Sequence, residues 1–375
     1  MKIEARDLPL VLSLLDQALD LSPEQQQAWL DELPEPARAY RDALARMLDD
    51  HANEESTSFR GTLPRLRDSG PAAAPAPATA AAGRTIGPYR LITELGRGGM
   101  GTVWLAERSD GRPERQVALK LPHLGPGTKA FAGRLARERD ILASLVHPNI
   151  ARLHDAGISS EGQPYIALAY VQGRTLIDHC DVLRLGLLQR IGLFLQVLEA
   201  VQFAHGQLVL HRDLKTSNVL VDGHGQVRLL DFGMAKLMID GIADATELTL
   251  GNGSAMTLHY ASPEQVAGVG LSTASDIYSL GVLLFRLLAG QMPYKLARGT
   301  VFQQHAAIMR AVPPPPSTVI NDLVAAHFGM PARELANALQ GGLDGVVLRA
   351  LQKKPADRHA SADAMRLDLQ RHLGG

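Results

Sequence analysis

The sequence predicts an α+β fold over residues 86–374, preceded by a short all-α module at 1–58 and an Ala/Pro-rich linker at 59–85. Three observations predict it. Apolar side chains between residues 8 and 50 recur at helical spacing. Between about 60 and 83 large apolar residues nearly vanish. Beyond 86, β-type runs around a glycine turn come first and helical patterns follow.

Leu8, Val11, Leu12, Leu15, Ala18 and Leu19 make one face of a first helix. Ser22-Pro23-Glu24-Gln25 reads as the start of a second: Ser22 caps, Pro23 suits the first helical position, and Gln25 completes a capping box. Trp29, Leu30 and Leu33 form its buried side, and a third helix after Pro36 buries Tyr40, Leu44, Met47 and Leu48. The following Ala/Pro run has too little apolar bulk for a core and reads as a linker, part extended. Residues 1–60 hold 13 acidic and 6 basic side chains, so the rest of the chain is net basic by 6. A solvated acidic surface accounts for this; docking of the acidic module on the basic remainder is the sharper alternative.

Composition narrows the function. With 46% hydrophobic residues and 21% charged, the chain has the make-up of a soluble globular protein. A net charge of −1 argues against non-specific attraction to nucleic acid or membranes. The single cysteine, Cys180, permits no internal disulfide and reads as a small buried hydrophobe. None of the 13 histidines pairs at i, i+4 around an acid, so zinc is not indicated. No secretory signal is visible at Met1–Asp7, and no apolar run approaches the roughly 20 residues of a membrane span, so the expected location is cytoplasmic.

The chemistry concentrates in His211-Arg212-Asp213-Leu214-Lys215-Thr216-Ser217-Asn218 and Asp231-Phe232-Gly233. One short stretch supplies a proton acceptor (Asp213), a lysine (Lys215) and two oxygen ligands for a divalent metal (Asn218, Asp231). Phosphoryl transfer needs such a set, to orient an attacking hydroxyl and to neutralise the migrating group. Upstream, Leu95-Gly96-Arg97-Gly98-Gly99-Met100-Gly101-Thr102-Val103 contains G-x-G-x-x-G-x-V. The residues after it read as a strand, not a helix, so the glycines form a strand–turn–strand flap able to lay backbone N–H groups over phosphates. Val117-Ala118-Leu119-Lys120 ends an apolar strand with a lysine, and Leu135, Ile141, Leu142 and Leu145 supply the face of the next helix.

These motifs, in this order, resemble the eukaryotic-type serine/threonine protein kinases of bacteria. The resemblance implies a small β-rich N-lobe (about 86–170) above a larger helical C-lobe (about 171–374), with nucleotide between them. It implies that Lys120 holds the α- and β-phosphates and pairs with Glu138, and that Asp213 and Lys215 serve transfer. Asn218 and Asp231 would hold Mg²⁺, with Mn²⁺ an alternative. The flap residues Leu95, Gly96, Arg97, Gly98, Gly99, Met100 and Gly101 would cover ATP. Val103, Ala118 and Leu220 would enclose adenine, which bonds the Ala169 carbonyl and the Val171 N–H. Ala169 replaces an acidic residue usual in the family, a departure that leaves backbone recognition intact.

Lysine two places after Asp213 is the serine/threonine pattern, and Thr257 stands where such kinases support that pair. The segment 234–262 resembles an activation loop, with Thr246, Thr249 and Ser254 the expected autophosphorylation sites and Arg212 their counter-charge. Ala261-Ser262-Pro263-Glu264 stands where kinases carry Ala-Pro-Glu, and Glu264 is expected to pair with Arg358. Asp276 is expected to brace the catalytic loop. Partners would be proteins bearing Ser/Thr hydroxyls, with a dimer as the form for trans-autophosphorylation and no nucleic acid. The main alternative, an inactive pseudokinase scaffold, usually shows a loss at the Lys120, Asp213 or Asp231 position, and none is lost. A small-molecule phosphotransferase would lack the Ala-Ser-Pro-Glu segment and the Lys215 pattern.

Overall fold

The computed structural model describes residues 29–30, 33, 37–41, 45, 82–98, 101–109, 116–122, 135, 139–232, 258–294 and 301–374. The chain divides into two compact units, Met1–Ala78 and Thr79–Gly375. In the first, residues 29–30 and Ala37–Tyr40 are helical, and Leu30, Leu33 and Ala37 are buried. The other helical positions expected there lie outside the described residues.

The second unit begins with six antiparallel strands: β1 (Thr85–Ile86), β2 (Tyr89–Gly98), β3 (Gly101–Arg108), β4 (Gln116–Pro122), β5 (Leu153–Ile158) and β6 (Pro164–Ala169). Their spatial order is β1-β2-β3-β4-β6-β5. Thr85, at the boundary drawn for the linker, already pairs with Arg90. Strand alternation gives this sheet two different faces. Trp104 and Ala106 of β3, Val117, Leu119 and Leu121 of β4, and Tyr165 and Ala167 of β6 form one apolar cluster with Ile86, Tyr89 and Leu91. The intervening residues Val103, Ala118, Lys120, Ile166 and Leu168 therefore share the opposite face, where Ile166 and Leu168 join the main core. Lys120 lies across from Val103 on one side and Ile166 on the other.

Residues 139–144 are helical, with Leu135, Leu142 and Leu145 buried as expected. Ile141, assigned to the same buried face, is instead exposed; it directly precedes Leu142, about 100° around the helix.

After β6 come a short strand β7 (Gly173–Thr175), α1 (Leu176–Val182) and α2 (Leu187–Gly206). The hairpin β8 (Val219–Asp222) and β9 (Val227–Leu229) pairs with β7. The rest is helical: α3 (Pro263–Val266), α4 (Thr273–Ala289), α5 (Val301–Arg310), α6 (Asp322–Ala326), α7 (Ala332–Leu339), α8 (Gly342–Ala350) and α9 (Ala362–Gly374). Helix α4 is buried nearly all round, from Ser275 to Ala289, and packs against α2 and α8. Its start is capped by Ser272, and its end by Gly290 in the left-handed conformation.

The expectation that no apolar run approaches membrane length needs correcting for α2, which by length and composition reaches it. Ile191, Phe194, Val197, Leu198 and Val201 are wholly buried inside the protein, and this is what the apolarity of α2 serves. The four prolines Pro313-Pro314-Pro315-Pro316 lead into a 3₁₀ turn, Pro316–Val319, with Pro313 and Pro316 buried as a loop of the larger lobe.

Candidate active site

The segment between α2 and β8 is fixed from below by α4. The carboxylate of Asp276, fully buried, accepts hydrogen bonds from the backbone N–H groups of His211 (2.8 Å) and Arg212 (2.9 Å) and meets His205 Nε2 at 2.8 Å. Burial pushes the Asp276 carboxyl up, but His205, His211 and these N–H groups outweigh it and hold it below the usual range. An ionised carboxylate only accepts, so His205 Nε2 carries the proton. Three donors on one acid force the chain into a tight bend, and Arg212 takes φ +67°, a left-handed conformation unusual for a side chain this large. Gln265 of α3 adds a bond to the Arg212 carbonyl at 2.8 Å. Leu214, fully buried, pins the middle of the segment.

So held, Asp213 points its carboxylate at two neighbours. Lys215 Nζ lies 2.8 Å from Asp213 Oδ2. Asn218 Nδ2 donates to the same oxygen at 3.1 Å and to the Asp213 carbonyl at 2.8 Å. The amide nitrogen of Asn218 is thereby committed, leaving its carbonyl oxygen as the available ligand. His211 is wholly buried, which pushes its pKa down, and its ring packs 4.5 Å from that of Phe232.

Asp231 arrives from the other side. The backbone N–H of Leu230 donates to the Asn218 carbonyl at 2.9 Å, which brings Asp231 beside the loop. Asp231 itself has φ +58°, a second left-handed residue at the site. Its Oδ2 meets Lys120 Nζ at 2.8 Å, joining the β-sheet lobe to the helical one across 111 positions of sequence. Burial pushes the Asp231 carboxyl up, but Lys120, His211 and Lys215 more than offset this, so it stays ionised.

Lys120, Asp213, Lys215, Asn218 and Asp231 are therefore gathered at one place. Val103, Ala118, Ala169, Val171 and Leu220 are half-buried; Leu220 alternates along β8 with the buried Val219 and Val221, which sets it on the face opposite the core. Leu95, Gly96 and Arg97 are exposed at the end of β2, Arg97 paired with Glu94 at 2.8 Å. Gly98 and Gly101 face each other across the flap. A Cβ at Gly101 would come within 2.5 Å of the Leu121 carbonyl oxygen, so only glycine fits there. Glu138, Gly99, Met100, Thr246, Thr249, Ser254 and Thr257 lie outside the described residues.

Asn218 and Asp231 fit a divalent cation: an ionised carboxylate and an amide oxygen are hard donors suited to Mg²⁺, which takes few protein ligands. Among the described residues no cluster of three His, Cys, Asp or Glu competes as a metal site. The expected scaffold pair is also present. Arg358 donates to Glu264 through two bonds of 2.7 and 2.8 Å, both side chains buried. Reading the sequence did not find Gln265 or His205, whose partners stand far along the chain and whose residue types carry no signal of such a role.

A β-sheet lobe whose lysine bridges to an aspartate beside a braced His-Arg-Asp loop is the arrangement of the protein kinases. The chain belongs to that family: the protein kinase domain model matches residues 89–366. It is 34% identical over 285 residues to the serine/threonine-protein kinase PknJ of Mycobacterium tuberculosis, covering 75% of this chain and 44% of that protein. Identity is 35% over 294 residues to PknB of Mycobacterium leprae (76% and 43%) and 32% over 290 residues to PrkC of Bacillus subtilis (76% and 41%). The chain thus spans less than half the length of these relatives. The crystal structure of the Mycobacterium tuberculosis PknI kinase domain superimposes with a TM-score of 0.56 at 28% identity, over 79% of this chain and all of that one.

Proposed function

We propose that this chain is an ATP-dependent serine/threonine protein kinase, moving the γ-phosphoryl group of ATP to Ser or Thr hydroxyls of proteins. The observation that carries the reading is the convergence of Lys120, Asp213, Lys215, Asn218 and Asp231 in one cleft. Lys120 exchanges its bond to Asp231 for contact with the α- and β-phosphates. Asp213 accepts the hydrogen bond of the incoming hydroxyl, aligns it, and takes its proton late in transfer. Lys215 neutralises charge on the γ-phosphoryl oxygens as they separate. Asn218 and Asp231 would hold Mg²⁺, which when bound supplies charge neutralisation at the β- and γ-phosphates. Leu95, Gly96, Arg97, Gly98, Gly99, Met100 and Gly101 cover the triphosphate, while Val103, Ala118, Leu220, Ala169 and Val171 receive adenine. Glu138 is the partner of Lys120 in the active form.

The same reading makes Thr246, Thr249 and Ser254 autophosphorylation sites, with Arg212 receiving the new charge and a transient dimer bringing the loop of one copy to the site of another. Residues 1–58 and 59–85 are read as a helical module and its linker. A reaction that consumes ATP runs in the cytoplasm.

The test is incubation of the full chain with labelled ATP and Mg²⁺, with phosphosite mapping. Lys120→Met is expected to abolish incorporation while the fold is retained. Asp213→Ala is expected to lower kcat by about 10²–10⁴-fold with ATP affinity nearly unchanged. An Asp213→Ala protein that turns over like wild type would remove the assigned role, and wild-type protein that transfers no phosphate would favour the scaffold reading.

A further inference from the structure

Away from the transfer site, a cavity of about 230 Å³ opens among α1, α2, α6 and the end of α4. None of Lys120, Asp213, Lys215, Asn218 or Asp231 lines it. Its volume is below the roughly 300–1,000 Å³ of pockets for drug-sized molecules, and suits a single side chain.

Its charges are unevenly matched. Arg190, wholly buried, makes three hydrogen bonds: Nε donates to the Leu185 carbonyl at 2.9 Å, and Nη2 to Asp181 Oδ1 at 2.8 Å and the His327 carbonyl at 3.0 Å. Its guanidinium also stacks 4.0 Å over the Phe328 ring. Asp181 is the acid of the cavity, and Arg190 neutralises it, with His327 Nδ1 a further 3.7 Å away. Arg286, in the last turn of α4, has no such partner. Its Nε is buried without a hydrogen bond, and among the described residues its guanidinium makes no ion pair. With Arg190 and Asp181 paired, the guanidinium of Arg286 is the cation of the cavity left without an acid.

The rim is apolar. Leu323 lines the cavity and is 80% exposed, and on the adjoining α1–α2 corner Val182, Leu183 and Leu188 are 61%, 52% and 68% exposed. Val182 and Leu183 directly follow Asp181, and Leu188 stands two residues before Arg190. A small free anion would make no use of these side chains. A peptide would, since its backbone carries apolar neighbours on either side of an acid.

The geometry points to a docking site for a protein partner that inserts a Glu or Asp side chain onto Arg286 and lays flanking apolar residues over Leu323 and the α1–α2 corner. The carboxylate meets the Arg286 guanidinium through charge-assisted bonds, and the apolar flanks supply contact area. This binding is independent of phosphoryl transfer.

The test titrates the peptide acetyl-Leu-Glu-Phe-Leu-amide, its glutamine analogue and acetate into the full chain, following the Arg286 Nε–Hε resonance in nitrogen-15 spectra. The glutamate peptide is expected to shift that resonance saturably and the glutamine analogue to bind about tenfold more weakly or worse. Arg286→Gln should weaken the glutamate peptide by a similar factor. Leu323→Asp, on a side chain too exposed to matter for folding, should do the same by repulsion. An unmoved Arg286 resonance, equal binding of the glutamine analogue, or unchanged affinity in Leu323→Asp would each overturn the proposal. Acetate binding as tightly as the peptide would overturn it too, leaving a small-carboxylate site.

Discussion

Asp276→Asn tests whether the loop bearing Asp213 is held by the fold or merely rests on it. In the native protein Oδ2 faces the His211 N–H and His205 Nε2, while Oδ1 faces the Arg212 N–H. Asparagine keeps one acceptor oxygen and replaces the other by an N–H₂ donor. If the oxygen stays with His211 and His205, the amide nitrogen opposes the Arg212 N–H. Rotated by 180°, it opposes two donors. The smaller loss is one charge-assisted bond, about 1.5–3 kcal/mol, plus a buried donor left unsatisfied at about 1–3 kcal/mol. A total of about 2.5–6 kcal/mol converts, at about 2 °C per kcal/mol for a unit this large, into a melting point lowered by about 5–12 °C. The functional effect should be larger. Arg212 loses the bond that keeps it at φ +67°, and Asp213 is the next residue. A displacement of about 1 Å in such a group costs about 10²-fold in rate. Thermal unfolding and steady-state phosphoryl transfer on the same preparation measure both, with KM for ATP nearly unchanged. An Asp276→Asn protein melting within about 1 °C of wild type and turning over normally would refute the bracing argument.

Three further outcomes follow from the same geometry. Arg358→Leu should cost about 5 kcal/mol and Glu264→Gln about 3, because Arg358 retains the Ala274, Gln352 and Lys353 carbonyls whereas Glu264 retains Ser275 and its own backbone N–H; denaturant unfolding reads the order. Burial pushes the Glu264 carboxyl up, but bonds from Arg358 and Ser275 outweigh it and hold it below its usual 4.5, so this stabilisation is present at neutral pH and lost as pH falls below about 4.5. Lys353, in contact with Tyr294 and the Ile308 carbonyl, is lowered from 10.5 to about 8 by burial and then by Arg358. The unfolded chain therefore binds the extra proton between those values, and stability should gain a rising component from about pH 8 that is absent in Lys353→Met. Tyr294, raised from 10.0 to about 12 by burial, contributes a falling component above pH 10, so the difference between the two proteins is the quantity to plot. Gly101→Ala, forced against the Leu121 carbonyl at φ +155°, should raise KM for ATP and cost about 1–3 kcal/mol, checked by nucleotide titration and melting.

The parts of this site that the sequence made legible are those where chemistry is local. Asp213, Lys215 and Asn218 sit within six residues, so their contact spans only a short turn of chain. Lys120 was legible because a lysine at the end of an apolar strand needs a partner; the partner expected, Glu138, lies outside the described residues, and the structure pairs Lys120 with Asp231. What a sequence hides is the meeting of side chains with distant backbone. Gln265 bonding the Arg212 carbonyl and Asn149 bonding the Val227 carbonyl depend on packing, and an amide side chain looks alike wherever it points. Ile141 misled for a related reason: periodicity gives the direction of a helical face but not its width. The length and apolarity of α2 likewise carry no label saying whether lipid or protein surrounds the helix.

The alternation along β4 has a consequence for changes in chain length. Val117, Leu119 and Leu121 belong to one apolar cluster, while Ala118 and Lys120 look the other way. Inserting or deleting one residue between Gln116 and Lys120 would reverse every position downstream, driving an ammonium among Trp104 and Tyr165 and turning leucines toward Asp231. No point substitution in the strand does both at once. Its parity, more than any one side chain in it, is what sets the lysine facing the cleft.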